Sequence, residues 1–140
     1  VVAVDARGRV AMVRQYRCVM GREMLEIPAG KLNYKGEDRL EAAQRELREE
    51  TGLTAGTWTH LCDSVSTPGF CDEVIGLYLA TDLTQGEMQP DEDEFLRFEL
   101  IDYQALIRRI ERGELQDGKS VSALLLARAP LIKLGLIDRA

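Results

Sequence analysis

The sequence predicts an α+β or α/β sandwich domain built on a mixed β-sheet, and three observations carry that expectation. Strand-sized apolar runs come first, one strongly helical segment follows, and further strands and two late helices complete the chain. This order does not repeat as a regular βαβ series, so the sheet is expected to be mixed rather than all parallel. The 140 residues are 45% hydrophobic and 30% charged, a balance that lets one domain bury a core without disulfides or a structural metal. No internal repeat, low-complexity tract or linker divides the chain, so residues 1–140 are expected to form a single domain.

The elements follow in order. Residues 1–4 and 10–13 are apolar and flank the Gly8 turn, which predicts a hairpin. A short strand over residues 24–28 stops at Pro28, and residues 29–36 form a loop with Gly30 and Gly36 near its ends. From Asp38 to Glu50, Leu40, Ala43 and Leu47 recur at helical spacing among Glu and Arg, and Gly52 supplies a stop. Residues 57–65 and 73–83 are predicted strands joined through Pro68, and residues 84–92 a polar loop. A strand over 95–101 precedes an amphipathic helix over 103–112 with Leu106, Ile107 and Ile110 on one side. Gly118 ends a loop, and a last helix over 121–127 is expected to be interrupted near Pro130. Leu124, Leu125 and Leu126 are expected to pack in it, with Leu131, Leu134 and Leu136 covering the core or a partner.

Composition excludes several functions. Lys plus Arg is 18 against 24 for Asp plus Glu, a net charge of -6, which argues against nucleic acid as a partner. One His (His60) and three Cys without a CxxC pair exclude the common zinc sites; His60 reads as an ordinary strand residue. The odd, unclustered cysteines fit free thiols in a reducing cytosol, so a cytoplasmic location is expected. No apolar run approaches the roughly 20 residues of a membrane span, so no membrane partner is expected. The chain opens on Val1 without an initiator Met and already as a strand, which suggests that an N-terminal segment is missing.

The informative segment is Arg45-Glu46-Leu47-Arg48-Glu49-Glu50-Thr51-Gly52. On a helix, Glu46, Glu49 and Glu50 stand at i, i+3 and i+4 and share one face. Their mutual repulsion would be relieved by hard divalent cations such as Mg²⁺, which prefers oxygen ligands and is commonly shared with substrate phosphates. Arg45 adds a fixed positive charge able to orient a neighbouring carboxylate. The bland reading of the same residues is a solvated Glu–Arg helix face.

The extended pattern decides between them. Glu37, the seven residues 38–44, then R-E-L-R-E-E-T-G-L resemble the signature of the Nudix hydrolases. One departure stands out: six residues, 31–36, separate Gly30 from Glu37 where the signature has five, which leaves the helix register intact. The resemblance implies an α/β/α sandwich around a mixed sheet and hydrolysis of a nucleoside diphosphate linked to another group. It implies Glu46, Glu49 and Glu50 as metal carboxylates, with the Ala29 carbonyl completing the shell, and Mg²⁺ as cofactor with Mn²⁺ as a substitute. Clustered cations neutralise the diphosphate and acidify the attacking water, so no Ser, Cys or His nucleophile is required.

Further segments resemble the ADP-ribose pyrophosphatase branch of that family. These are Arg14-Gln15-Tyr16-Arg17, Glu23-Met24-Leu25-Glu26-Ile27-Pro28-Ala29-Gly30, Ser66-Thr67-Pro68-Gly69-Phe70-Cys71-Asp72-Glu73, the acidic run 91–94, and Asp117-Gly118-Lys119. The resemblance implies a nucleoside diphosphate sugar, ADP-ribose first, as substrate, with AMP and ribose 5-phosphate as products. It points to Arg17, Glu26, Pro68, Phe70 and Glu73 as substrate-binding residues. Arg17 would bind a phosphate or stack near adenine, against the plainer reading of a strand-edge charge. Glu73 would accept from ribose hydroxyls, and Pro68 would stiffen the loop that carries Phe70. Phe70 reads first as a core residue and second as a stacking group. Arg45, Glu49 and Glu50 are the catalytic candidates, joined by Glu92 as general base with Asp91 next to it. The rival function is a non-catalytic module that senses ADP-ribose, which should have lost metal carboxylates that this chain keeps. Branch members are commonly dimers with exchanged N-terminal strands, so a homodimer is expected.

Overall fold

The computed structural model describes residues 1–87 and 96–139. Two three-stranded sheets lie between helices. One has the order β1-β5-β4 and the other β3-β2-β6. In the first, β1 (Val2–Ala3) runs parallel to β5 (Val74–Gln85), which pairs antiparallel with β4 (Leu53–Val65). In the second, β2 (Arg9–Arg17) is flanked by antiparallel β3 (Arg22–Glu26) and β6 (Arg97–Asp102).

The predicted opening hairpin is replaced by a split between the two sheets. Val4 and Val10 share a single bridge, but Val2 and Ala3 pair with Leu79 and Ala80 of β5. The cause is burial on both faces: residues 1–4 and 10–13 are all buried, as central strands are, whereas hairpin arms would leave one face wet. Their alternation feeds two cores. Val2, Val4, Val10 and Met12 join Leu77, Leu79, Tyr103, Leu106, Leu124 and Leu131 on one side. Val1, Ala3 and Ala11 join Leu47, Leu53 and Ala80 on the other, with half-buried Trp58 against them. The layers are therefore helix, sheets, helices, as the sequence led one to expect. The Asp5–Gly8 turn between the strands is local chemistry. The Asp5 carboxylate accepts from the Arg7 and Arg9 amides, both at 2.9 Å, and Gly8 sits at φ 72°.

Helix α1 (Arg39–Thr51) starts where Asp38 accepts from the amides of Leu40 and Glu41 and stops at left-handed Gly52, whose N–H reaches the Arg48 carbonyl. Helix α2 (Tyr103–Glu111) is capped by Asp102 and buries Tyr103 and Leu106. Helix α3 (Gly118–Lys133) is longer than the expected 121–127 at both ends. It begins earlier because Asp117 caps it through the Ser120 amide, and it passes Pro130 because fully buried Leu131 anchors the turn beyond. Of the three consecutive leucines only Leu124 is buried; Leu125 and Leu126 face outward, and Leu134 is exposed where Leu131 and Leu136 pack.

Candidate active site

The site assembles where the loop after β3 crosses the C-terminal half of α1. That loop is pinned from three directions. The Ile27 amide donates to Ser120 Oγ at 2.8 Å, the Pro28 carbonyl accepts from the Val1 nitrogen at 2.8 Å, and the Ala29 amide donates to Glu50 Oε2 at 3.2 Å. Glu50 is 1% exposed, so its carboxylate belongs to the floor of the site and not to a solvated face. Gly30 approaches Glu46 so closely that a Cβ built on it would lie 1.9 Å from the Glu46 carboxyl carbon. A side chain at residue 30 would push the Glu46 carboxylate from its place, which gives the signature's leading glycine a steric reason.

Arg45 organises the neighbouring acids. Its Nη1 donates to Glu46 Oε1 at 2.7 Å and to Glu49 Oε2 at 3.3 Å; its Nε and Nη2 donate to Glu37 at 3.3 Å each, and Nη2 also to the Lys31 carbonyl at 3.0 Å. Burial works against the Arg45 charge, but Glu37 and Glu46 outweigh it and hold the guanidinium protonated throughout. Glu37 is held below the usual carboxylate range by the Asn33 amide, at 2.5 Å, and then by Arg45. The six-residue loop 31–36 is thus closed onto the helix by Lys31 and Asn33.

Glu46, Glu50, Ala29, Gly30 and Arg45 line a cleft of about 850 Å³ together with Arg17, Ser66, Glu73 and Lys119. A second charged group sits beside it. Arg17 forks onto the two Glu26 oxygens at 2.8 Å each, and Lys119 Nζ donates to Glu26 Oε2 at 2.5 Å and to Asp117 Oδ2 at 2.9 Å. Burial pushes the Glu26 carboxyl up, yet Arg17 and Lys119 prevail and hold it below its ordinary value. Glu46 and Glu50 of the cleft come from α1, and Arg17 and Lys119 from β2 and α3.

Among the described residues, no three or more His, Cys, Asp or Glu side chains are gathered as a ready-made metal site. Arg45 lies among the carboxylates and engages Glu46 and Glu49. The donors still suit a hard divalent cation: all are carboxylate oxygens on one helix, and the backbone of Ala29 and Gly30 is drawn against two of them.

This arrangement can be set beside known proteins. The model of the NUDIX domain matches residues 1–124. The chain belongs to the Nudix family. Among curated Nudix relatives, it is 38% identical over 126 residues to an ADP-ribose pyrophosphatase of Bacillus subtilis, covering 89% of this chain and 68% of that one. It is 39% identical over 131 residues to an ADP-ribose pyrophosphatase of Mycobacterium tuberculosis, covering 92% of this chain and 63% of that one. A crystal structure of an ADP compounds hydrolase superposes with a TM-score of 0.83 at 26% identity, covering 97% of this chain and 74% of that one. The mixed sheet between helices is therefore the Nudix fold.

The Nudix cleft gathers some of the expected residues and not others. Arg17, Ala29, Arg45, Glu46, Glu50 and Glu73 line it. Glu73 accepts from Ser66 Oγ at 2.8 Å. Glu49 reaches the cluster through Arg45. Glu26 is buried behind Arg17 and Lys119, at 2% exposure. Pro68 and Phe70 are not among the lining residues, although Thr67 beside them is. Phe70 is 88% exposed, so the expectation that it packs in the core is overturned: the turn closed by the Phe70 and Cys71 amides onto the Thr67 carbonyl carries it away from both cores. Arg17 is no bare strand-edge charge, being paired with Glu26. Glu92 and the rest of the run 91–94 lie outside the described residues. His60 is a half-exposed strand residue held to Asp63 at 3.1 Å. Lys119, Asp117 and Ser120 were not foreseen as parts of the site. The buried carboxylate of Glu26 requires cations, and α3 supplies one of them.

Proposed function

We propose that this chain hydrolyses the diphosphate linkage of ADP-ribose to AMP and ribose 5-phosphate, with Mg²⁺ as the cofactor and Mn²⁺ as a substitute. The observation that carries the reading is the cleft itself. Carboxylates of α1 and the Ala29–Gly30 backbone form one part of its lining, and Arg17 and Lys119 another. An acid group for cations beside a cation group for phosphate suits a diphosphate ester and suits few other substrates. The relatives named ADP-ribose pyrophosphatase support the choice of ADP-ribose over other nucleoside diphosphate sugars. The sensor alternative has no observation in its favour, since the full set Glu46, Glu49 and Glu50 is retained.

Glu46, Glu49, Glu50 and the Ala29 carbonyl would hold the cation. When bound, it supplies Lewis acidity and neutralises the diphosphate charge. Arg45 fixes Glu46 and Glu49 through Nη1, and Glu50 is fixed by the Ala29 amide. Glu73 would accept from ribose hydroxyls, and the Pro68–Phe70 loop would border the substrate. Glu92, with Asp91 as the neighbouring choice, would take the proton of the attacking water. Water adds to one phosphorus, the bridging P–O bond breaks, and each product leaves with a terminal phosphate. The protein would act as a homodimer. The three cysteines are free thiols, which suits a reducing compartment such as the cytoplasm. Among the described residues no helix is long and apolar enough to cross a membrane.

The Glu50→Gln variant tests the metal site. Loss of the floor carboxylate is expected to lower kcat for ADP-ribose by about 100-fold or more with the circular dichroism spectrum unchanged. Retained activity with the same Mg²⁺ dependence would remove Glu50 from the site.

A further inference from the structure

Glu26 is a buried carboxylate contacted by two cations, one of which it shares with Asp117. Arg17 alone satisfies both oxygens in a two-point fork. Lys119 then adds a second cation on Oε2, reaching from α3 across 93 residues of sequence. Lys119 is tethered again by Asp117, the N-cap of α3, whose oxygen also takes the Ser120 amide and hydroxyl. Ser120 in turn holds the Ile27 amide. An ammonium has three N–H donors, and the two carboxylates occupy two of them. The side chain is only 13% exposed, yet Lys119 lines the same cleft as Arg17, Glu46 and Glu50. The tether removes the rotamer freedom that a surface lysine would lose on gripping an anion.

We propose that Lys119 is a phosphate ligand of the cleft, presented beside Arg17, and that buried Glu26 is the positioning residue that holds both cations. Glu26 itself does not touch the substrate. The identity of the anion as a nucleoside diphosphate rests on the function proposed above; the assignment of Lys119 rests on the Glu26 network. Asp117 and Ser120 couple this pair to the Ile27–Gly30 loop, so the cation group and the backbone next to Glu46 and Glu50 are registered by one set of hydrogen bonds.

The test uses four single variants, Lys119→Gln, Lys119→Arg, Glu26→Gln and Arg97→Gln, and the double variant Glu26→Gln/Lys119→Gln. Two readouts are taken: steady-state kinetics on ADP-ribose with Mg²⁺, and calorimetric binding of ADP without metal. Lys119→Gln is expected to raise KM about tenfold or more, the size of one charge-assisted hydrogen bond, with kcat nearly unchanged and ADP binding weakened in proportion. Lys119→Arg should recover part of the loss. Glu26→Gln should also raise KM, and in the double variant the two losses should be less than additive, because Lys119 is one of the two cations that Glu26 holds. Arg97, paired with Glu23 on the surface, should give wild-type values when changed. A Lys119→Gln protein with a lower Tm but unchanged KM and ADP affinity would overturn the proposal and leave Lys119 as a structural tether. If the wild type turns over no ADP-ribose but binds ADP in a Lys119-dependent manner, the substrate reading falls and the assignment of Lys119 stands. If ADP binding is absent or independent of Lys119, the assignment falls.

Discussion

Gly30 and Glu46 show how much of the site depends on single atoms. The Glu46 carboxylate occupies the space a side chain on residue 30 would need, its two oxygens 2.1 and 2.2 Å from where a Cβ would lie. Glu46 is also held by Arg45, so it cannot yield without disturbing that contact. Gly30→Ala is therefore expected to displace Glu46 or the loop and to lower kcat/KM by about 100-fold, with little loss of stability. Steady-state kinetics beside a thermal melt check this; an active Gly30→Ala enzyme would show that the close approach is not needed. The sequence identified Gly30 by its place in a signature, and the reason for it appears only in the approach to α1. Phe70 is the opposite case. Its aromatic ring argued for the core, but the turn built on the Thr67 carbonyl overrides that tendency.

At the scale of elements, locality separates what was legible from what was not. Helix α1 was predicted nearly to the residue because its signals lie in or beside it: the helical spacing of Leu40, Ala43 and Leu47 and the Gly52 stop. The pairing of Val2 and Ala3 with Leu79 and Ala80 joins segments more than 70 residues apart, and no local pattern names the partner. The bond from Lys119 to Glu26 is hidden for the same reason. That network ties β2, β3 and α3 together and has a pH signature. The carboxyl of Glu26 is held below its unfolded value, so its contribution to stability is complete above roughly pH 4.5 and is lost as pH falls through the folded value. Thermal melts from neutral to acidic pH should therefore show Tm falling in the acid range. The fall should be shallower in Glu26→Gln, which also starts from a lower Tm at neutral pH. Acid limbs of equal slope in the two proteins would show that this pair does not link the elements energetically.

For the whole molecule, the charge of -6 acquires a location. Glu46, Glu49 and Glu50 gather with Arg45 on α1, while Arg17 and Lys119 bring positive charge to the same cleft from β2 and α3. An acidic protein can thus accept an anionic substrate where its few inward cations are fixed and where a divalent cation is recruited. The fold class and the metal helix were legible because they are written in periodicity and in one contiguous signature. Arg17, Ala29, Arg45, Glu46, Glu50 and Glu73 of the cleft were expected through the resemblance, whereas Lys119 was not, because the cleft draws on β2, the loop after β3, the β4–β5 connection and α3 together. The proposed dimer is checked by light scattering coupled to size exclusion, with twice the chain mass expected and a monomer mass contradicting it. The most direct test of the central claim is chromatography of the products when purified protein meets ADP-ribose with Mg²⁺ and, in parallel, with a chelator. AMP and ribose 5-phosphate in equal amounts, formed only with the metal, are the predicted result; no cleavage of ADP-ribose or of any other nucleoside diphosphate derivative would contradict the account.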